Sequence, residues 1–416
     1  MKRWISVCLI AVMLLGSGAL AAESREELRR AYQALGTGVT TSPYEQMPSV
    51  KAPYASGALS QTAREDALAY LNFLRSLAGL APVTCSRLYE HRSQHGAVLL
   101  AALDYAAHDA PNPGDMPADF YDSAHTATLS SNLAKFNWMR PSILREGLAY
   151  FVRDDGEENL PVLGHRRWLL NPVMAETGFG LANSGTGMSY VVMYALDDAN
   201  AQTQWDAVCW PSKGFFPVEL MHWDLAWSVS LNPERYDVEH SRIAVELTEA
   251  TQGLQFQFNA GETNTDGFCG VSMEAYGAGP CLIFRPDFEG TEFTDYQQNQ
   301  RWQVRVSGLR TWTGEEIQLE YVVEMASLYP QEVANLELSQ VETTMRAGEN
   351  LSLSVSVIPA YADDLEVMWS SSDTGVATVA QDGTVTAVAP GVCQIRAESA
   401  NGKYDSCRLT VVFSDS

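Results

Sequence analysis

Thr177-Gly178-Phe179-Gly180-Leu181-Ala182 and Ser189-Tyr190-Val191-Val192-Met193-Tyr194 stand on either side of Ser184-Gly185-Thr186-Gly187. Apolar and aromatic runs of this length, split by a glycine-rich connector, predict two strands joined by a turn. The text before them has a different period. Thr62-Ala63-Arg64-Glu65 has the form of a capping box, and Leu68, Leu71, Leu74 and Leu77 follow at near-helical spacing until Gly79 and Pro82 stop the pattern. A second helix is expected from about Ser86 to Ala107, with Leu88, Leu99, Leu100 and Leu103 among its apolar positions, and a third around Ile143 to Val152. Helices followed by a hairpin place residues 61–200 in the layered α+β class.

Downstream the runs shorten. From about 201 to 328, stretches such as Ile243-Ala244-Val245-Glu246-Leu247 and Trp302-Gln303-Val304-Arg305-Val306 are punctuated by Gly, Pro and Asn, which reads as a β-rich unit. Tyr329-Pro330-Gln331-Glu332 then links to a last set of strands, where Val376-Ala377-Thr378-Val379 and Val385-Thr386-Ala387-Val388 flank a turn containing Asp382-Gly383. Upstream, residues 23–60 are polar, lack sustained periodicity and read as an arm or linker. At the start, Lys2 and Arg3 precede an apolar run from Trp4 to Leu15 and then Ala19-Leu20-Ala21, the form of a signal peptide over residues 1–22. The mature chain is therefore expected to be exported, and no later stretch has the roughly 18 to 20 apolar residues of a transmembrane span.

A chain of 416 residues should hold two to four compact units, and 46% hydrophobic with 19% charged residues is the composition of a folded protein. Against 27 Lys and Arg stand 51 Asp and Glu, a formal charge of -24 that becomes -26 once Lys2 and Arg3 leave with the leader. Such a surface repels phosphate backbones and anionic headgroups, which excludes nucleic acid as a partner class. Cys85, Cys209, Cys269, Cys281, Cys393 and Cys407 remain after the leader. Their even number outside the cytosol permits disulfides, and close spacing favours Cys269 with Cys281 and Cys393 with Cys407; buried free thiols are the alternative.

Two patterns are set aside. His91-Arg92-Ser93-Gln94-His95 spaces two imidazoles as a zinc protease would, but Arg92 stands where the glutamate base belongs, so a surface helix is expected. No G-x-S-x-G elbow supports a serine nucleophile. Trp205, Trp210, Phe215, Phe216, Trp223 and Trp227 crowd one short stretch, where core packing is the expected role and a sugar-stacking platform the alternative.

Two family resemblances complete the reading. Trp369-Ser370-Ser371-Ser372-Asp373, Val376-Ala377-Thr378-Val379, Asp382-Gly383-Thr384-Val385 and Gly391 resemble a bacterial immunoglobulin-like domain of group 2, which implies a β-sandwich over 333–413 acting as a spacer or adhesive module. Residues 61–200 resemble the CAP superfamily (cysteine-rich secretory, antigen 5 and pathogenesis-related). The matching blocks run in order: His108, Ser130-Ser131-Asn132-Leu133-Ala134, Phe151 to Asp154, Gly164-His165-Arg166-Arg167-Trp168-Leu169-Leu170-Asn171-Pro172, and the strand ending Tyr190 to Tyr194. This resemblance implies a three-layer α-β-α sandwich with a cleft where two histidines and two acids converge. By position these are His108, His165 and Asp154, with Asp155 as the adjacent candidate and Ser131 standing where the family has its first acid. Glu146 is a candidate substitute.

The whole is then expected to be a multidomain chain: a CAP-like α-β-α sandwich, a β-rich middle unit and an Ig-like sandwich. In its cleft, His108 and His165 could hold a divalent cation, Zn2+ or Mg2+, although Ser131 weakens the donor set. The expected function is binding of a small hydrophobic ligand, peptide or cell-surface component in the extracellular space or cell envelope. The alternative is a hydrolase or peptidase in which Asp154 orients an imidazole or acts as general base. Purely structural roles are the alternative for these residues: His165 ordering a turn, His108 at a helix C-terminus, and Arg166 and Arg167 in ordinary ion pairs.

Overall fold

The computed structural model describes residues 22, 24–36, 38, 42–137, 142–277 and 279–413. Apart from Ala22, the expected signal peptide lies outside the described residues. The chain is multidomain and β-rich, and it divides into two compact units. One holds the described residues up to Tyr296 together with Gln300–Ala326; the other holds Gln297–Asn299 with the residues from Ser327 onward. Residues 61–200 and most of 201–328 thus share one unit.

That unit opens with α1 (Arg25–Gln33), capped by Ser24 Oγ on Glu27 N, and its Leu28 is buried. The segment read as a linker therefore carries a packed helix, and Leu35 O accepts from Arg145 Nη2 at 2.7 Å. After β1 (Tyr44–Gln46) and β2 (Ala58–Leu59) come α2 (Gln61–Leu77), β3 (Thr84–Cys85), α3 (Arg87–Leu103) and α4 (Ala118–Leu129). There follow β4 (Ser131–Phe136), α5 (Ile143–Arg153), α6 (Gly164–Leu169), β5 (Glu176–Thr177), β6 (Phe179–Asn183) and β7 (Ser189–Tyr194). The α2 cap is Ser60, whose Oγ accepts from Ala63 N, not Thr62. Glu65 takes the Gln61 amide instead of closing a box. Helix α3 stops at Leu103 because Asp104 adopts φ 52°, so His108 lies in the loop beyond it rather than at its end.

The sequence pattern missed α4 and β4. Strands β4, β7 and β6 form an antiparallel sheet in that order. Every residue of β7 is buried, so helices must cover both of its faces. Alternation along the strand assigns them. Tyr190 and Val192 pack with Ala97, Leu100 and Ala124 of α3 and α4, while Val191 points at Gly147 of α5. The glycines of the opening stretch have a steric purpose: a Cβ on Gly180 would lie 2.0 Å from Ser93 O, and one on Gly178 2.2 Å from Glu90 N. Only bare backbone lets α3 lie that close to the strand.

Nine further strands follow: β8 (Ala207–Trp210), β9 (Gly214–Pro217), β10 (Trp227–Leu231), β11 (Ala244–Glu249), β12 (Leu254–Asn259), β13 (Gly267–Ser272), β14 (Cys281–Pro286), β15 (Arg301–Arg310) and β16 (Glu316–Ala326). They make two sheets, β13-β14-β10-β8 and β12-β11-β15-β16-β9, in which only β9 and β16 run parallel. Trp227 of one sheet meets Trp302 of the other at 5.9 Å between ring centroids, and Trp227 Nε1 donates to Tyr296 OH at 2.8 Å. Trp210, Phe216 and Trp227 are fully buried, so half of the six-residue aromatic cluster is core; Trp205 and Phe215 are half-buried and Trp223 is exposed.

The second unit is a bacterial Ig-like domain. It contains β17 (Asn335–Leu338), β18 (Glu342–Arg346), β19 (Asn350–Ser352), β20 (Val355–Ile358), β21 (Val367–Ser371), β22 (Ala377–Val379), β23 (Thr384–Ala387), β24 (Gly391–Ser399) and β25 (Tyr404–Val412). Sheets β18-β25-β24-β21 and β19-β23-β22 enclose Trp369, Val385, Ile395 and Leu409. The expected hairpin is β22 to β23, with Thr384 N donating to Asp382 Oδ1 across the turn.

All six described cysteines are free. Register explains why the two expected pairs do not form. Cys269 sits opposite Phe284 while Cys281 sits opposite Ser272, three places along the same ladder. Cys393 faces Leu409 while Cys407 faces Ile395, a diagonal across neighbouring strands rather than a facing pair.

Candidate functional site

Helix α5 ends because Asp154 takes a left-handed conformation, φ 50°, its N–H returning to Tyr150 O at 2.9 Å. Aspartate is one of the few residues that tolerates this backbone. The turn directs its carboxylate inward, where it is fully shielded. One oxygen accepts from His165 Nδ1 at 2.8 Å and the other from Arg166 N at 3.1 Å. His165 lies in the first turn of α6 with its ring parallel to Phe151 at 5.6 Å, and its carbonyl accepts from Asn132 Nδ2 at 2.8 Å. A carboxylate at Nδ1 fixes the proton there, which leaves Nε2 as the free ring nitrogen.

His108 is held by a different device with the same result. Its Nδ1 donates to Thr128 O at 2.8 Å while Thr128 Oγ1 donates back to His108 O at 2.7 Å. A carbonyl can only accept, so the proton is on Nδ1 and Nε2 is again the available nitrogen. The ring sits in an exposed loop, in contrast to the half-buried His165.

Both imidazoles line one open cavity of about 340 Å³. Ser131, Asn132, Leu129, Val162, Trp168 and Leu196 line it as well, and Tyr276 enters from the loop between β13 and β14. Ser131 is buried, and its hydroxyl has no hydrogen-bond partner. Asp154 backs His165 from behind the wall. Asp155 is exposed, and neither it nor Glu146 lines the cavity.

The donor set does not suit a divalent cation. Among the described residues no group of three or more His, Cys, Asp or Glu side chains is placed to hold a metal. Both Asp154 oxygens are engaged, and Ser131 offers a neutral hydroxyl where an acid would be needed.

Arg166 and Arg167 do not make the surface ion pairs expected of them. Arg166 is buried and donates to Val152 O, Arg153 O, Ala226 O and Ser228 Oγ at 2.6 to 3.2 Å. Burial pulls its guanidinium down from the usual 12.5 to about 10. Arg167 donates to Val162 O, Ser272 Oγ, Glu274 O and Gly279 O. The histidine segment is thereby fastened to the β-rich segment. The other histidine pair is also less exposed than expected, since His95 is buried against Phe120 at 4.1 Å and its Nδ1 meets His91 O at 2.7 Å.

Comparison with known proteins bears on the second unit. Residues 332–408 match the bacterial Ig-like domain (group 2). A lacto-N-biosidase of Bifidobacterium bifidum is 44% identical over 79 residues, 19% of this chain and 7% of that protein. An A type blood N-acetyl-alpha-D-galactosamine deacetylase of Flavonifractor plautii is 37% identical over 78 residues, 19% of this chain and 10% of that protein. The chain thus spans a tenth or less of the length of these curated relatives. Among solved structures, domains 4 and 5 of the S-layer protein SbsC are 15% identical and cover 40% of this chain and 99% of that one. The TM-score is 0.20, at which the likeness carries no argument.

Proposed function

We propose that the chain is an exported bacterial protein whose residues 61–200 have a CAP-like α-β-α fold and use their cleft to bind a small ligand outside the cell, with the Ig-like domain as spacer or adhesive module. The observation that carries this reading is the shared cavity. His108 and His165, from distant parts of the chain, line one space together with Leu129, Val162, Trp168 and Leu196, and Nε2 is the unengaged nitrogen of each ring. Apolar walls with a few oriented polar groups, at about 300 Å³ or more, are the usual anatomy of a small-molecule site. Helices on both faces of the sheet support the three-layer reading, and the Ig-like domain supports an extracellular setting.

The test is titration of the full chain with three probes: cis-parinaric acid for acyl lipids, dehydroergosterol for sterols and N,N′-diacetylchitobiose for neutral glycans. Saturable binding of at least one probe, weakened about tenfold by His165→Ala, is the expected result. No saturable binding by any of the three contradicts it.

The Asp154–His165 pair favours a second reading, a hydrolase in which His165 Nε2 takes a proton from water while the shielded carboxylate holds the ring. Turnover of p-nitrophenyl acetate above the level of His165→Ala, lost in Asp154→Asn, would support it. Equal rates in all three proteins would remove it.

A further inference from the structure

Tyr276 is an aromatic side chain of the β-rich segment, yet it lines the histidine cavity. Its position is constructed. The Arg167 guanidinium, 3% exposed with its residue, donates through Nη2 to Glu274 O at 2.6 Å and Gly279 O at 2.8 Å, so one cation clamps the loop on both sides of the tyrosine. Through Nη1 it holds Ser272 Oγ at 2.9 Å and Val162 O at 3.0 Å, tying the loop to the cavity wall. The ring lies 5.5 Å from the same guanidinium. A Cβ on Gly164 would stand 3.3 Å from the ring, and a Cβ on Gly277 would stand 2.5 Å from Arg167 O, so both contacts use the absence of a side chain. Despite this fastening, Tyr276 remains 37% exposed, and part of its surface is left for a ligand.

The rest of the lining states what that ligand must offer. His108, His165, Ser130 and Asn132 line the same space, and with Nδ1 engaged in each ring both imidazoles keep Nε2 as their free acceptor. A purely hydrocarbon ligand would bury these groups unpaired, at a cost that an occupant with several hydroxyls avoids. An apolar ring face on Tyr276 with hydroxyls around its edge meets both demands, and the chain's charge of -24 disfavours an anionic version.

Resting on the cleft-binding reading above, the geometry points to a pyranose site completed by the β-rich segment: a neutral sugar ring stacks on Tyr276 and hydrogen-bonds to His108 and His165. The helix–sheet residues alone do not make the site.

The experiment is calorimetric titration of the full chain and its variants with N,N′-diacetylchitobiose and cellobiose, beside cis-parinaric acid. At least one disaccharide binds saturably, Tyr276→Phe keeps its affinity within about twofold, and Tyr276→Ala weakens it about tenfold. Binding of cis-parinaric acid with neither disaccharide overturns the sugar site and leaves the cleft reading standing. Disaccharide binding that Tyr276→Ala leaves unchanged also overturns the inference, whereas silence from all three probes defeats both proposals. A folding defect in Tyr276→Ala would show as lost thermal stability, and Tyr276→Leu, which keeps bulk without a ring, then carries the same comparison.

Discussion

Replacing Arg166 with methionine should unfold the first unit at markedly lower urea while leaving the Ig-like unit untouched. Arg166 is 1% exposed and spends its guanidinium on Val152 O, Arg153 O, Ala226 O and Ser228 Oγ. Two of these partners are the last residues of α5 and two belong to the β-rich segment, so the side chain is a bolt between them. Methionine roughly preserves the stem and removes all four donors. Hydrogen bonds from a charged donor contribute about 1.5 to 3 kcal/mol each, but the variant also escapes the cost of burying the cation. Each buried acceptor left unpaired costs about 1 to 3 kcal/mol, so with the relief from not burying the cation the expected net loss is about 3 kcal/mol. The assay is urea unfolding followed by tryptophan fluorescence and circular dichroism. Wild type should lose residues up to 326 in one cooperative transition, separate from that of residues 327–413, and only the first midpoint should fall in Arg166→Met. A loss below about 1 kcal/mol, or two transitions within the first unit of the wild type, refutes the bolt.

Three further outcomes follow from the packing. Gly180→Ala should cost about 3 kcal/mol or prevent folding, because its Cβ would lie 2.0 Å from Ser93 O; a melting temperature equal to wild type contradicts this. Ser131→Ala removes a buried hydroxyl that has no partner, so thermal stability should stay level or rise by up to about 1 kcal/mol, and a clear loss would mean the hydroxyl is satisfied within the fold. Burial pushes the Cys209 and Cys269 thiols up from 9.0 to about 12. Unfolded chains therefore release these protons first, between pH 9 and 12, so the contribution of these thiols to stability should be constant below pH 9 and fall above it by at most about 1.4 kcal/mol per pH unit for each thiol. Arg166, pulled down to about 10, acts in the opposite direction between 10 and 12.5, so replacing both cysteines with serine should flatten the early part of the decline.

Local pattern carried the sequence reading only where local forces decide. The hairpin around residues 184–187, the helices α2, α3 and α5, and the β22–β23 turn were all legible because period and turn chemistry are written in neighbouring residues. Helix α4 escaped notice because Ala118–Leu129 has weak apolar contrast and begins after Pro117 with no side-chain cap. Ser60 and Thr62 are both competent caps, and only the chain entering from Leu59 selects the former. His108, His165 and Asp154 were singled out from an ordered set of motifs, not from pattern, and of these the two histidines line one cavity. Arg166 and Arg167 were misjudged because their acceptors are backbone carbonyls up to 112 residues away, which no sequence text marks. Tyr276 had no signal beyond the glycines at 277 and 279 that follow it.

The central claim is that one ligand engages both imidazoles through Nε2. Nitrogen-15 spectra of the histidine side chains, recorded while N,N′-diacetylchitobiose is added, test it directly. The Nε2 signals of His108 and His165 should move together and saturate at the same concentration, with those of the exposed His222 and His240 still. Movement of one cavity histidine without the other, or of neither at saturation, would contradict the shared site.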